Sequence, residues 1–281
     1  MPRKLEVFVA TKGHAFCRDA FEGMLRAIGV EPTMVDQPAA AMLLNPQGMA
    51  RFDAVLLYDM PGMDFRADVE ERPGFVEPEA AFREGFLALL REGKGVVALH
   101  HSIAGWPAWP AYGEALGGRF LYKPALQCGD SGYLPDVRYA VRTGAVDHPV
   151  LAALPERFCL TDELYACERF SDPRAVPLIL RDTPVDQARF LSAMHAVRGA
   201  PAEAQAAWTP PPADTVLGWA KAALSSPLVY LQPGDSAATY ENENYRLLLG
   251  NALRWVASPE ARVWAAKQGA YADEGCTTDG P

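Results

Sequence analysis

Five histidines occur in the 281 residues, His14, His100, His101, His148 and His195. Imidazole is the side chain whose ordinary pKa lies nearest neutrality, so its placement is the first clue to acid–base chemistry. His14 follows the apolar run Leu5–Ala10 through Thr11-Lys12-Gly13, and His100-His101 follow Val96–Leu99 directly. Carboxylates take matching positions. Asp59 follows Asp53–Tyr58, and Asp235 ends Gln232-Pro233-Gly234-Asp235 after Leu228–Leu231. Thr161-Asp162-Glu163-Leu164-Tyr165 adds two adjacent acids. In extended chain Glu163 and Tyr165 share one face while Asp162 and Leu164 share the other. Leu164 suits the core, so Glu163 and Tyr165 are presented together, with loop capping the ordinary alternative for Asp162. By the same geometry His100 and His101 face opposite ways, one outward and one beneath. His195 and Trp109 read most simply as structural residues, His195 at the surface or hydrogen-bonded and Trp109 packing a helix onto the sheet.

These residues need elements that bring strand ends together. Leu5–Ala10, Thr33–Val35, Asp53–Tyr58 and Val96–Leu99 read as strands, separated by helices over Ala15–Ile28, around Ala39–Leu44 and over Glu79–Arg91. Strands alternating with helices imply a doubly wound α/β domain with a mainly parallel sheet. Ligands of such sheets bind beyond the carboxyl ends of the strands, where the histidines and acids above are delivered. Further strands are expected at Val137–Val141, Phe158–Tyr165, Val176–Arg181, Val216–Ala222 and Leu228–Leu231. Met60–Val76 is a long loop, and Pro201–Ala213, with Pro210-Pro211-Pro212, a surface loop without regular helix. Trp106 and Trp109 fall on one face of a helix closed by Gly117-Gly118. Tyr245–Val256 is an amphipathic helix, and Ser258-Pro259-Glu260 opens another. The expected organisation is one α/β domain over residues 1–257 and a helical extension and tail over 258–281.

A net charge of −9 disfavours nucleic acid and anionic membrane as partners, and 49% hydrophobic residues give ample core. The five cysteines show no C-x-x-C pairing, so reduced, mostly buried thiols and a cytoplasmic location are expected. The turn after Val96–Leu99 lacks the G-x-C-x-G or G-x-S-x-G of a nucleophile, and helix capping is the simpler task for Ser102. No Walker or dinucleotide-binding glycine motif occurs.

The blocks Thr11-Lys12-Gly13-His14, Ala98-Leu99-His100-His101-Ser102-Ile103-Ala104-Gly105-Trp106, Leu116-Gly117-Gly118-Arg119-Phe120, Asp147-His148-Pro149-Val150, Thr161–Tyr165, Gln232–Asp235 and Asn251-Ala252-Leu253-Arg254-Trp255 run in order to about Ala257. Together they resemble the ThuA-like (trehalose utilisation) family. The resemblance implies the flavodoxin-like fold of class I glutamine amidotransferases without their cysteine, and work on disaccharides or their keto derivatives. Where many members carry Gly-His, this chain has Gly234-Asp235.

Residues and resemblance together lead to an enzyme of carbohydrate metabolism acting on a sugar or keto-sugar by isomerisation, elimination or hydrolysis. His100 is the expected base, with Glu163 and His14 as acid or hydroxyl-orienting groups. His101, Trp106, Asp59, Asp162, Tyr165, Asp235 and Tyr240 are the expected sugar contacts, Trp106 by stacking. A divalent metal, zinc or manganese, on histidine and Asp235 is a second reading, although no H-x-x-x-H spacing supports it. A non-catalytic sugar-binding protein is a third. The partner is a small carbohydrate, and a homo-oligomer is compatible with the sequence.

Overall fold

A computed structural model of the chain describes residues 3–125 and 129–274. In chain order its main elements are β1 (Leu5–Lys12), α1 (Arg18–Ala27), β2 (Val30–Asp36), β3 (Ala54–Asp59), α2 (Ala80–Arg91), β4 (Val96–Leu99), α3 (Pro110–Leu116), β5 (Gly132–Thr143), β6 (Arg157–Ala166), β7 (Val176–Arg181), β8 (Leu191–Ser192), β9 (Val216–Ala223), β10 (Ser226–Leu231), α4 (Glu243–Val256) and α5 (Pro259–Glu274). Ten strands form one sheet in the order β8-β5-β7-β9-β10-β4-β3-β1-β2, with β6 also paired to β5. The run β2-β1-β3-β4-β10 is parallel. From β10 outward the remaining pairings are antiparallel.

The parallel strands are apolar on both faces because helices cover both. Along β1, Val7 and Val9 join one core cluster while Phe8 and Ala10 join the other. Phe21, Met24 and Leu25 of α1 pack on the first with Leu248, Leu249 and Leu253 of α4. Phe82, Phe86, Leu89 and Leu90 of α2 pack on the second with Tyr112 and Leu116 of α3. Their i, i+3, i+4 spacing is the stripe that a one-sided helix must present. Each such side chain contributes about 1.5–3 kcal/mol by leaving water. Every parallel strand therefore ends at the same rim, and that rim carries the site.

Several local expectations are corrected. Ala202–Ala207 is helical, since Pro201 stands at its start and the proline run begins only at Pro210. The stretch from Met60 to Val76 contains a short antiparallel pair, Met63–Asp64 with Gly74–Phe75. Trp106 and Trp109 precede α3 instead of lying on a helix face; Trp109 is its cap residue, and both indoles meet Phe82. Cys17 and Cys159 are exposed free thiols, so they are not buried as expected, and Cys167 is half-buried. Cys128, Cys276 and the tail over 275–281 lie outside the described residues. Helix α5 begins as anticipated, with the Ser258 hydroxyl accepting from the Ala261 amide at 3.1 Å. Ala261 and Ala265 are buried, and Trp264 meets Trp255 of α4 edge-on. Among the described residues no helix is long and apolar enough to cross a membrane.

Candidate functional site

His100 stands immediately after β4 with φ +46°, a left-handed backbone that an ordinary side chain adopts only under surrounding constraint. The constraint is visible: the Tyr230 hydroxyl donates to the His100 carbonyl at 3.1 Å, and the ring nitrogen Nδ1 donates to the Gln232 carbonyl at 2.7 Å. The second ring nitrogen, Nε2, is thereby turned toward three oxygens. Tyr165 Oη lies at 2.7 Å, Glu163 Oε2 at 3.2 Å and Asp235 Oδ1 at 3.4 Å. The Tyr165 ring also stacks on the imidazole, with centroids 4.6 Å apart. Burial alone would push His100 down, but hydrogen bonds and charge from Asp235 and Glu163 win, and its pKa is pushed up to about 10. Burial likewise opposes ionisation of Asp235, yet His100 holds its pKa below the usual carboxylate value.

Asp162 explains how the two acids come to flank one imidazole. It points to the opposite side of β6 from Glu163 and is 1% exposed. Its carboxylate accepts from the amides of Gly234 at 2.6 Å, Asp235 at 3.1 Å and Glu163 at 2.9 Å. One buried carboxylate thus fixes the strand that carries Glu163 and the loop that carries Asp235. Gly234 has φ +142°, and a Cβ there would lie 2.7 Å from the Tyr245 hydroxyl, so the loop needs glycine. Burial raises the pKa of Asp162, with His100 and the amides pulling the other way.

His14 enters from the end of β1. Gly13, at φ +105°, lets that loop lie directly on the loop after β3, where a Cβ would fall 2.4 Å from the Met60 carbonyl oxygen. The His14 ring stacks on His101 at 4.6 Å and stands 6.2 Å from His100. Its Nδ1 donates to the Ala15 carbonyl at 2.9 Å, leaving Nε2 as the basic nitrogen, and lies 3.9 Å from Asp235 Oδ1. Burial, then repulsion from His100, lowers its pKa below the usual histidine value.

The other expected contacts are placed behind this group. His101 is 1% exposed and donates from Nε2 to the Tyr58 carbonyl at 3.2 Å; burial and the two neighbouring imidazoles push its pKa well down. Asp59 is 1% exposed and accepts from Gln37 Nε2 at 2.6 Å, and burial lifts its pKa to about 7. Tyr240 is wholly buried, 2.6 Å from the Tyr58 hydroxyl and 3.2 Å from the Asp235 carbonyl. Trp106 is half-buried against Phe82 and lines, with Trp109, Phe120 and Phe170, a small cavity of about 100 Å³. Asp59, His101, Asp162 and Tyr240, expected as sugar contacts, are buried and packed behind or beside His100, Glu163 and Asp235. Ser102 is fully buried and its hydroxyl has no hydrogen-bond partner among the described residues, which fits neither capping nor attack on a substrate. His148 caps a turn at residues 149–151, and His195 lies in the helix Ala193–Arg198.

Gln232 is the supporting residue that sequence reasoning missed. Its carbonyl orients His100, and its side chain accepts from the Tyr165 amide at 3.0 Å. The block Gln232–Asp235 flagged the loop, but a backbone carbonyl has no signature in residue type. Among the described residues, His100, Glu163 and Asp235 form one group whose potential metal-ligating atoms all lie within 4.8 Å of one another.

A mainly parallel α/β sheet with a histidine on the strained turn after β4 has the flavodoxin-like, class I glutamine amidotransferase-like fold expected from the sequence. The chain belongs to the ThuA family, described as trehalose utilisation, whose sequence profile matches residues 5–256. Among solved structures it is similar to a ThuA-like protein from Bacteroides uniformis, with 17% identity over 92% of this chain and 93% of that one and a TM-score of 0.62. A second ThuA-like protein, from Parabacteroides merdae, shares 14% identity over 91% and 90% of the two chains, with a TM-score of 0.60. PurLQS from Thermotoga maritima is similar at 11% identity over 90% and 99% of the chains, with a TM-score of 0.51. At these identities the likeness is one of fold. No curated protein matches the sequence significantly. Membership of the family assigns the chain a trehalose-utilisation role in carbohydrate metabolism.

Proposed function

We propose that the chain is an enzyme that moves a proton next to the carbonyl group of a keto-sugar, in an isomerisation or elimination. The observation that carries this reading is a pair of imidazoles 6.2 Å apart whose surroundings drive them in opposite directions. His14 keeps a basic nitrogen because its Nδ1 is engaged by Ala15, whereas His100 is held positive by Glu163 and Asp235. Groups pushed apart in this way are how a site obtains a base and an electrophile at one pH.

In the proposed step His14 takes the proton from the carbon beside the carbonyl. The C–H electron pair becomes a C–C double bond, and the carbonyl π pair moves to oxygen. The positive charge at His100 stabilises that oxygen. In an isomerisation the hydroxyl on the deprotonated carbon passes its proton to the oxyanion and becomes the new carbonyl, while the former carbonyl carbon takes the proton back from His14. In an elimination the oxyanion re-forms the carbonyl as the double bond shifts to the next carbon, whose oxygen substituent leaves with its bonding pair and takes the proton held by His14. His100 thus exchanges its expected role as base for that of electrophile, because two carboxylates share its Nε2. The buried Ser102 hydroxyl supports a route without a covalent sugar–enzyme intermediate.

The test is incubation with 3-keto-disaccharides in deuterium oxide, followed by mass spectrometry and NMR. Deuterium should appear at the carbon beside the carbonyl. Neither exchange nor turnover with any keto-disaccharide would remove the proposal.

A further inference from the structure

We propose that His100 Nε2, Glu163 and Asp235 bind one divalent transition-metal cation, zinc or manganese. The donor set comes first. One neutral imidazole and two carboxylates give a charge of −2, which a divalent ion neutralises, and mixed nitrogen and oxygen ligands suit these metals. Spacing comes second. Two donors about 2.1 Å from one ion, at a tetrahedral angle, stand roughly 3.4 Å apart. Nε2 lies 3.2 Å from Glu163 Oε2 and 3.4 Å from Asp235 Oδ1, so the side chains already have the separation of a first coordination sphere.

The third argument is the support behind each donor. Metal-binding histidines commonly donate their other ring N–H to a carbonyl, which fixes the tautomer and turns the lone pair to the ion. His100 does this through Gln232. Glu163 and Asp235 are fixed through their amides by Asp162, and the Asp235 carbonyl by Tyr240. Three protein ligands with Glu163 12% and Asp235 30% exposed leave coordination positions open on the solvent side, as catalytic metal sites require.

Such a cation would supply the positive charge that the proposed reaction needs at the carbonyl oxygen, in place of the proton on His100. In that respect it rests on the proposed function, but it is tested by binding alone. Protein prepared without a histidine tag, stripped with a chelator and dialysed, is titrated with manganese followed by electron paramagnetic resonance, and with zinc by calorimetry. One equivalent should bind. Glu163→Gln and Asp235→Asn, each checked by circular dichroism for an intact fold, should each weaken binding by at least about tenfold, since even residues that only orient a ligand cost 10–100-fold. Should either variant fail to fold, competition between the two metals for the wild-type site, with crystallographic location of the ion, decides the matter. Absence of stoichiometric binding, affinity unchanged in both variants, or an ion located elsewhere would overturn the proposal. Deuterium exchange by metal-free protein would still report separately on the proposed reaction.

Discussion

Asp59 and His100 stand at the ends of adjacent strands, are both almost inaccessible to water, and both hold their proton more tightly than usual, which favours a neutral carboxyl in one and a cation in the other. Among the described residues Asp59 has one side-chain donor, Gln37, and its second carboxylate oxygen is buried without a partner. Burial prevails there and favours the neutral acid. His100 is as deeply buried, but Glu163 and Asp235 face it, and their attraction exceeds the cost of desolvation. At His101, one residue on, burial and the neighbouring imidazoles push the pKa well down and favour the neutral ring. The rim of the sheet therefore has a less charged side, built from the end of β3 and His101, and a charged side, built from His100, β6 and the loop after β10. Depth in the protein sets the size of the stakes, and the partner decides the sign.

The contrast can be challenged at four strengths. The largest effect is expected for His14→Gln, which removes the proposed base while leaving the charged side intact. Turnover and deuterium exchange on a keto-disaccharide should fall by about 10²–10⁴-fold, with the fold unchanged by circular dichroism. Next comes Asp59→Asn. The wild-type carboxyl binds its proton more tightly folded, with a pKa of about 7, than unfolded, near 3.8. Its stabilising contribution is therefore full below about pH 4 and is lost as pH rises through about 7. The variant should escape that loss, gaining up to on the order of 4 kcal/mol over wild type at about pH 8 and nothing at pH 4, read from urea midpoints across pH. If the two curves run parallel, the less charged side is misread.

Asp162→Ala attacks the charged side. It leaves the amides of Gly234, Asp235 and Glu163 without their acceptor, at a cost of roughly 1–3 kcal/mol measured by denaturant unfolding. The smallest change is expected for Gln37→Met, which removes the Gln37 side-chain donor to Asp59. Because that hydrogen bond lowers the acid's pKa, its loss should move the midpoint of the stability–pH curve to higher pH.

Much of the site was legible because strands alternate. Glu163 and Tyr165 on one face of β6, with Asp162 and Leu164 on the other, follow from a period of two, and both Glu163 and Tyr165 meet His100. The strand ends were legible from apolar runs that stop at His, Asp or Gly. Depth was harder to read. Tyr240 looks like a sugar platform in sequence, yet it lies in the core because the short helix Ala237–Glu241 turns it toward Tyr58. Trp106 and Trp109 have helical spacing, but the chain makes only a 3-10 turn before Gly105 and starts its helix at Pro110. The exposed Cys17 and Cys159 depart from the tendency of free thiols to be buried, which no local pattern foretold. Long-range pairings such as Asp162 with residues 234 and 235 depend on how the sheet closes, which a single sequence does not encode locally.

Gln232 performs two tasks with two chemically separate parts. Its side chain serves Tyr165, and any substitution can remove that contact. Its carbonyl aims His100, and every amino acid brings a carbonyl to that position. The orientation of the central imidazole is consequently shielded from point mutation at position 232: genetic drift there can loosen the aromatic neighbour of His100 while the bond that sets its tautomer persists. Robustness of this kind is a property of main-chain recognition, and it places the most demanding angular requirement of the site where codon changes reach it least.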